Sequence, residues 1–153
     1  MTLSDDIERL RRVPLLSVLD EEGLRHLAFN ADFGTLADGE ILFYIGDHAT
    51  GALLITRGSL SLQKLVAGEM RERARLEVDG ILDPHALISD VRRGYTAQAV
   101  GETDYLTLDR ATFLKIMQAY PELAERVQDY LADNLEYLAS SLQDVADRLD
   151  NFQ

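Results

Sequence analysis

Cysteine is absent from this chain, which excludes disulfides, thiolate metal sites and cysteine-held iron–sulfur clusters on composition alone. A reducing, cytoplasmic setting fits that usage. Basic residues are scarce: 15 Lys and Arg stand against 27 Asp and Glu, giving a formal net charge of −12 at pH 7. Nucleic-acid affinity comes mainly from Lys and Arg neutralising phosphates, so neither DNA nor RNA is expected as a partner. Long apolar runs are missing as well. The segment Met1 to Leu10 alternates acids and bases without the apolar core of a signal peptide, and no later run approaches the length of a membrane span. There is no G-x-S-x-G elbow, no Walker-type loop and no clustered Ser, His and Asp signature. The acid pairs Asp5-Asp6 and Glu21-Glu22 read as helix-start and solvated-face residues, so catalysis is not expected.

What is present is an apolar fraction of 46% over 153 residues, enough for a single compact domain with a substantial core. Two changes of pattern divide it. Residues 1–30 read as helices: Ser4 is placed to cap a first turn, Pro14 interrupts it, and Leu24, Leu27 and Ala28 recur at helical spacing after Asp20. Residues 31–109 form short apolar or alternating runs, Ile41 to Ile45, Ala52 to Thr56, Ser59 to Val66, Arg71 to Val78, Tyr95 to Val100 and Tyr105 to Leu108. They are separated by the turn signals Asp38-Gly39, Gly46-Asp47, Arg57-Gly58, Ala67-Gly68 and Asp79-Gly80. That rhythm predicts a mainly β, antiparallel roll or jelly-roll. The alternating run Ser59, Leu60, Ser61, Leu62 is expected to show one face to solvent or to a cavity.

Helical spacing returns over residues 110–153. Ala111 to Tyr120 forms one segment, and Pro121 suits the first turn of another, with Glu122 and Glu125 complementing its positive end. From there Leu131, Leu135, Leu138, Leu142, Val145, Leu149 and Phe152 follow the alternating spacing of a heptad seam. The seam's flanks carry small residues such as Ala132, Ala139 and Ala146, and its acids lie on the outer face. It reads as a homodimer contact, although its first turns also suit packing on the roll.

Several pieces of the middle section resemble the cyclic-nucleotide-binding family, which includes the catabolite activator protein and the regulatory subunits of cyclic-AMP-dependent kinase. Val13-Pro14-Leu15-Leu16 is similar to the family's opening segment. Gly39-Glu40-Ile41-Leu42 with Gly46-Asp47 is similar to its first hairpin, and Ala52 to Gly58 followed by Ser59 to Leu62 to its apolar strand, glycine turn and alternating strand. The resemblance implies an antiparallel β-roll with N-terminal helices and a long C-terminal helix. It also implies a phosphate cassette of approximate form F-G-E-h-A-L, a loop, then R-x-A-T. In that cassette backbone N–H groups and one arginine hold the cyclic phosphate, and the glutamate accepts from the ribose hydroxyl.

Ala86-Leu87-Ile88 and Arg93-Gly94-Tyr95-Thr96 fit that frame, so the resemblance makes Arg93 the phosphate ligand, with Ala86 and Leu87 offering N–H groups. Arg93 also has a plainer reading, as a surface ion-pair residue beside Arg92 and near Asp90. The cassette's glycine and glutamate fall on Asp83 and Pro84. Asp83 brings negative charge to the phosphate position, and Pro84 removes the ribose acceptor and a backbone donor. Losing the glutamate's charge-assisted bond, about 1.5–3 kcal/mol, weakens a cyclic nucleotide by one to two orders of magnitude. Leu138-Ala139 fall where the bacterial activator presents two hydroxyl residues to the purine.

Of the 3 histidines, His26, His48 and His85, none share a metal-like spacing. His85 lies in the cassette, where haem-binding relatives place an axial ligand; it reads as a rim histidine, and neither haem nor metal is expected. The chain ends at Gln153 within the helical pattern, so no helix-turn-helix is expected after the long helix. The expectation is a stand-alone regulatory module that senses a small anionic ligand and signals through its C-terminal helix. The alternative is a nucleotide-free dimeric scaffold acting through a protein partner.

Overall fold

The structure is a computed structural model and describes residues 2–133. Helix α1 (Leu3–Arg11) starts from Thr2 rather than Ser4. Thr2 Oγ1 accepts from the Asp5 N–H at 3.2 Å and the Thr2 N–H donates to Asp5 Oδ2 at 3.1 Å, a reciprocal cap that satisfies two otherwise orphaned donors. Helix α2 (Glu21–Phe29) is capped by Asp20, whose Oδ1 accepts from the Gly23 N–H at 2.8 Å. Between them the Val13-Pro14-Leu15-Leu16 segment runs as turns and buries Val13, Leu15 and Leu16.

The strands follow as β1 (Asp32–Leu36), β2 (Ile41–Phe43), β3 (His48–Ala49), β4 (Gly51–Val66), β5 (Glu69–Leu76) and β6 (Ile81–Leu82). A 3₁₀ helix (Pro84–Leu87) then precedes β7 (Val91–Arg92) and β8 (Thr96–Asp109). The main sheet runs β1-β8-β4-β5, with β2 also on β8 and β6 also on β4; β3 and β7 form a second pair, and every pairing is antiparallel.

Two pairs of expected strands are each one continuous strand. Arg57-Gly58 does not turn the chain; it is a bulge inside β4, where the register against β8 shifts on both sides of Arg57. Gly58 has φ +80°, and a Cβ there would lie 2.4 Å from the Glu102 carbonyl oxygen. Gly101, at φ +75°, marks the partner irregularity in β8 and donates its N–H to Asp38 Oδ1 at 2.7 Å. A bulge bends its strand and increases local twist. One half of β4 and β8 therefore pairs with β6 and β1, and the other half with β5 and β2, which closes the sheet into a roll.

Leu36, Leu53, Ile55, Leu60, Leu62, Leu82, Ala97 and Ala99 form the roll's inner core, flanked by the half-buried Phe43 and Tyr95. The opposite face of the Ser59 to Leu62 run is not open to solvent: Ser59 is 8% and Ser61 4% exposed. Gln63 lies against Ser61 on that face, donating to Ser61 Oγ at 3.0 Å and to Gln98 Oε1 at 2.9 Å.

Helices α3 (Arg110–Ala119) and α4 (Pro121–Asp133) pack with α1 and α2 on a second apolar core that includes Leu10, Leu16, Leu24, Phe113 and Leu87 of the 3₁₀ helix. Leu131, the first residue of the expected seam, is half-buried against this core of its own chain. Leu135, Leu138, Leu142, Val145 and Leu149 lie outside the described residues. Among the described residues no helix is long and apolar enough to cross a membrane.

Candidate functional site

Arg93 directly follows β7, and the Gly46-Asp47 turn holds its backbone. The Arg93 N–H donates to the Asp47 carbonyl at 2.7 Å, and the Gly46 N–H donates to the Arg93 carbonyl at 2.8 Å. Gly46 has φ +90°, a conformation glycine adopts without steric cost, so the turn presents its N–H to the cassette. The Arg93 side chain is only 8% exposed and turns inward, with its guanidinium carbon 4.3 Å from the centroid of the Phe43 ring. Stacking on an aromatic face suits a weakly hydrated planar cation.

The partner of this cation is Asp83, not Asp90. Arg93 Nη1 donates to Asp83 Oδ2 at 2.7 Å, while Asp90 lies 3.2 Å from His48 Nδ1 beside the β3–β7 pair. Asp83 stands at φ 54°, ψ 53°, left-handed backbone that costs a typical L-residue roughly 1–2 kcal/mol and that Asp tolerates better than most. It keeps the backbone shape a glycine would give and adds a carboxylate that accepts from the Arg93 guanidinium.

The other expected site residues are spread over several tasks. Pro84 occupies the first position of the 3₁₀ helix, where its missing N–H costs no bond. Ala86 and Leu87 are fully buried, and the Ala86 N–H is already used, donating to the Asp83 carbonyl at 3.0 Å. Thr96 is buried, and its Oγ1 accepts from the Ile45 N–H at 3.0 Å, tying the loop after β2 to the start of β8. His85 is exposed. Leu138 and Ala139 lie outside the described residues. Asp83 and Arg93 therefore meet, whereas Ala86 and Thr96 support the backbone around them.

Phe43 and Arg110 were not singled out by sequence reading. Phe43 lay in an apolar run with nothing to mark it as the platform for a cation. Arg110 opens α3, and its Nη1 reaches the carbonyls of Ser89 at 2.7 Å, Ala86 at 3.2 Å and Ala49 at 3.2 Å. One guanidinium thus joins the cassette's 3₁₀ helix, the loop that follows it and the C-terminal helix pair. The Asp109-Arg110 step at the strand-to-helix boundary was the only available signal.

The family model of the cyclic nucleotide-binding domain matches residues 34–120, which include the Gly46-Asp47 turn, the 3₁₀ helix and Arg93. The chain belongs to the cyclic nucleotide-binding domain family. Among solved structures, a cyclic nucleotide-binding-like protein from Brucella abortus is 32% identical, with a TM-score of 0.71, covering 74% of this chain and 98% of that one. The N-terminal domain of a transcriptional regulator from Streptomyces coelicolor is 25% identical, with a TM-score of 0.78, covering 88% of this chain and 94% of that one. A protein of Rhodopseudomonas palustris described as a potassium channel protein is 28% identical over 116 residues, 76% of this chain. The chain spans 28% of that channel protein's length. This is a cyclic nucleotide-binding-like regulatory domain, and its Arg93 is paired with an aspartate of its own, Asp83.

Proposed function

We propose that this domain is a non-catalytic regulatory module switched by a small anion that displaces the Asp83 carboxylate from Arg93. The observation that supports it is the Arg93–Asp83 pair, 2.7 Å long with Arg93 8% exposed. An inward-facing cation on an aromatic platform is held ready for an anion, and the carboxylate it now meets is the competitor. Any incoming anion gains only the difference between its own contact and the internal pair. Cyclic AMP is further handicapped by Pro84, which offers no acceptor for the ribose.

The signal would travel through Arg110. Displacing Asp83 moves the residue that opens the 3₁₀ helix, and the Ala86 and Ser89 carbonyls that Arg110 holds belong to that helix and its following loop. A ligand shifts such an equilibrium only by its differential affinity for the two arrangements. In this reading the residues of the heptad seam pair with those of a second copy in the cytoplasm and carry the change to a partner.

The second reading, a nucleotide-free dimeric scaffold acting through a protein partner, draws on the same pair, because Asp83 already satisfies Arg93 without any ligand. Calorimetry against cyclic AMP, cyclic GMP and inorganic phosphate separates the two. Asp83→Asn keeps the left-handed backbone accessible and removes the competing charge, so it is expected to tighten anion binding by about 10–100-fold. Arg93→Ala is expected to abolish binding. No heat from any of the three with the wild type and with Asp83→Asn would leave the scaffold reading in possession.

A further inference from the structure

The inner face of the roll changes character at its open end. Moving outward along β4 and β8, the apolar layers of Leu60 with Ala99 and Leu62 with Ala97 give way to Lys64. Its Nζ lies 4.7 Å from the centroid of the Tyr95 ring. Tyr95 and Phe43, the rings beneath Lys64 and Arg93, pack against the same inner cluster. Across the β4–β5 hairpin the residue facing Lys64 is Arg71, and directly opposed residues in an antiparallel pair project from the same side of the sheet.

Two like charges at facing positions destabilise a sheet, and little here offsets them. Arg71 has Glu69 at 3.7 Å, with both side chains well exposed. Lys64 has no carboxylate within ion-pairing distance among the described residues. In a chain of net charge −12, the rim of the roll therefore carries Lys64 and Arg71, with Lys64 over Tyr95, which follows Arg93 by two residues in the chain. Arg71 stands beside Glu69 and Arg93 beside Asp83, so of these three cations Lys64 alone has no carboxylate partner among the described residues. The local excess of positive charge it leaves attracts anions even when the whole molecule repels them.

We propose that Lys64 and Arg71 form a second anion subsite which, together with Arg93, selects a small organic molecule bearing two anionic groups over a singly charged cyclic phosphate. The proposal rests on Arg93 taking the first anionic group. Adenosine 3′,5′-bisphosphate and cyclic AMP are a matched pair of probes, with the same base and sugar but two phosphates against one cyclic diester. Their affinities are to be measured at neutral pH for the wild type, Lys64→Gln/Arg71→Gln, Arg93→Ala and Asp83→Asn.

The wild type is expected to prefer the bisphosphate by about tenfold or more, and the double variant is expected to lose that preference while binding cyclic AMP as before. Without any ligand the double variant should melt no lower than the wild type, since removing facing like charges relieves the hairpin. Should the wild type bind neither probe, the same comparison is made in the Asp83→Asn background. A preference unchanged by the double substitution overturns the second subsite and leaves the Arg93 reading standing. Binding that survives Arg93→Ala overturns the Arg93 reading itself, and no binding in any background overturns both.

Discussion

Arg110, in the first turn of α3, donates from Nη1 to the Ser89 carbonyl at 2.7 Å, across 21 residues of sequence, so the cassette and the helix pair cannot move independently without breaking a charge-assisted bond. The same nitrogen also reaches the Ala49 and Ala86 carbonyls, so its loss would leave two partly buried acceptors short of a donor. Hydrogen bonds from charged groups contribute about 1.5–3 kcal/mol. Arg110→Ala is expected to destabilise the domain by about 2–3 kcal/mol in urea unfolding. It should also speed amide exchange at Ala86, Ile88 and Ser89 ahead of the roll strands. Equal acceleration everywhere would mean that Arg110 supports the whole fold rather than this junction.

Gly58 and Gly101 both have positive φ, yet they differ in what surrounds them. A Cβ at Gly58 would sit 2.4 Å from a backbone oxygen, whereas one at Gly101 meets nothing within 4 Å. Gly101→Ala is expected to cost about 1–2 kcal/mol, the conformational term alone. Gly58→Ala adds a backbone clash at the bend of β4 and should cost clearly more, lowering the melting temperature further. Equal costs would show that β4 can straighten without penalty.

Two carboxyls should give opposite pH responses. The Ser61 hydroxyl, and then the Arg75 guanidinium at 2.9 Å, hold Glu72 below the ordinary carboxylate value of 4.5. Its contribution is thus present above pH 4.5 and fades as pH falls through the lower folded value. Burial pushes Asp6 above 3.8, and its Oδ1 has no hydrogen-bond partner. Its contribution is present below 3.8 and lost as pH rises through the raised value. Glu72→Gln should therefore be destabilising near pH 7 and nearly neutral near pH 3. Asp6→Asn should be harmless or stabilising near pH 7. Urea unfolding of both variants over that range is the measurement, and parallel pH profiles for the two would contradict the assignment.

The heptad seam makes a prediction about mass. Leu138→Asp with Leu142→Asp places charge on the expected contact and should convert a dimer to a monomer in sedimentation, with the melting of the roll little changed. A wild type that is monomeric at high micromolar concentration would remove the seam from the account.

Sequence alone determined the succession of N-terminal helices, antiparallel strand region and C-terminal helices, because hydrophobic period, helix caps and positive-φ turns are local properties, whereas β1, β3, β6 and β7 were not among the expected runs. The helix after Asp20, the Ala67-Gly68 turn and the Pro121 helix start all stand where their residues place them. Arg57-Gly58 was misleading for a related reason. A glycine that permits left-handed backbone serves a turn or a bulge equally well, and only pairing with β8 selects the bulge.

What surrounds Arg93 was decided by tertiary structure. Asp83 and Asp90 are both acids near it in the chain, and no local rule says which one a long side chain will reach. The inward course of Arg93 over Phe43, the left-handed backbone at Asp83 and the reach of Arg110 across the junction all depend on strands closing into a roll. Electrostatic partnership is set by distance in space and by exclusion of water, and the linear pattern of residues carries neither quantity.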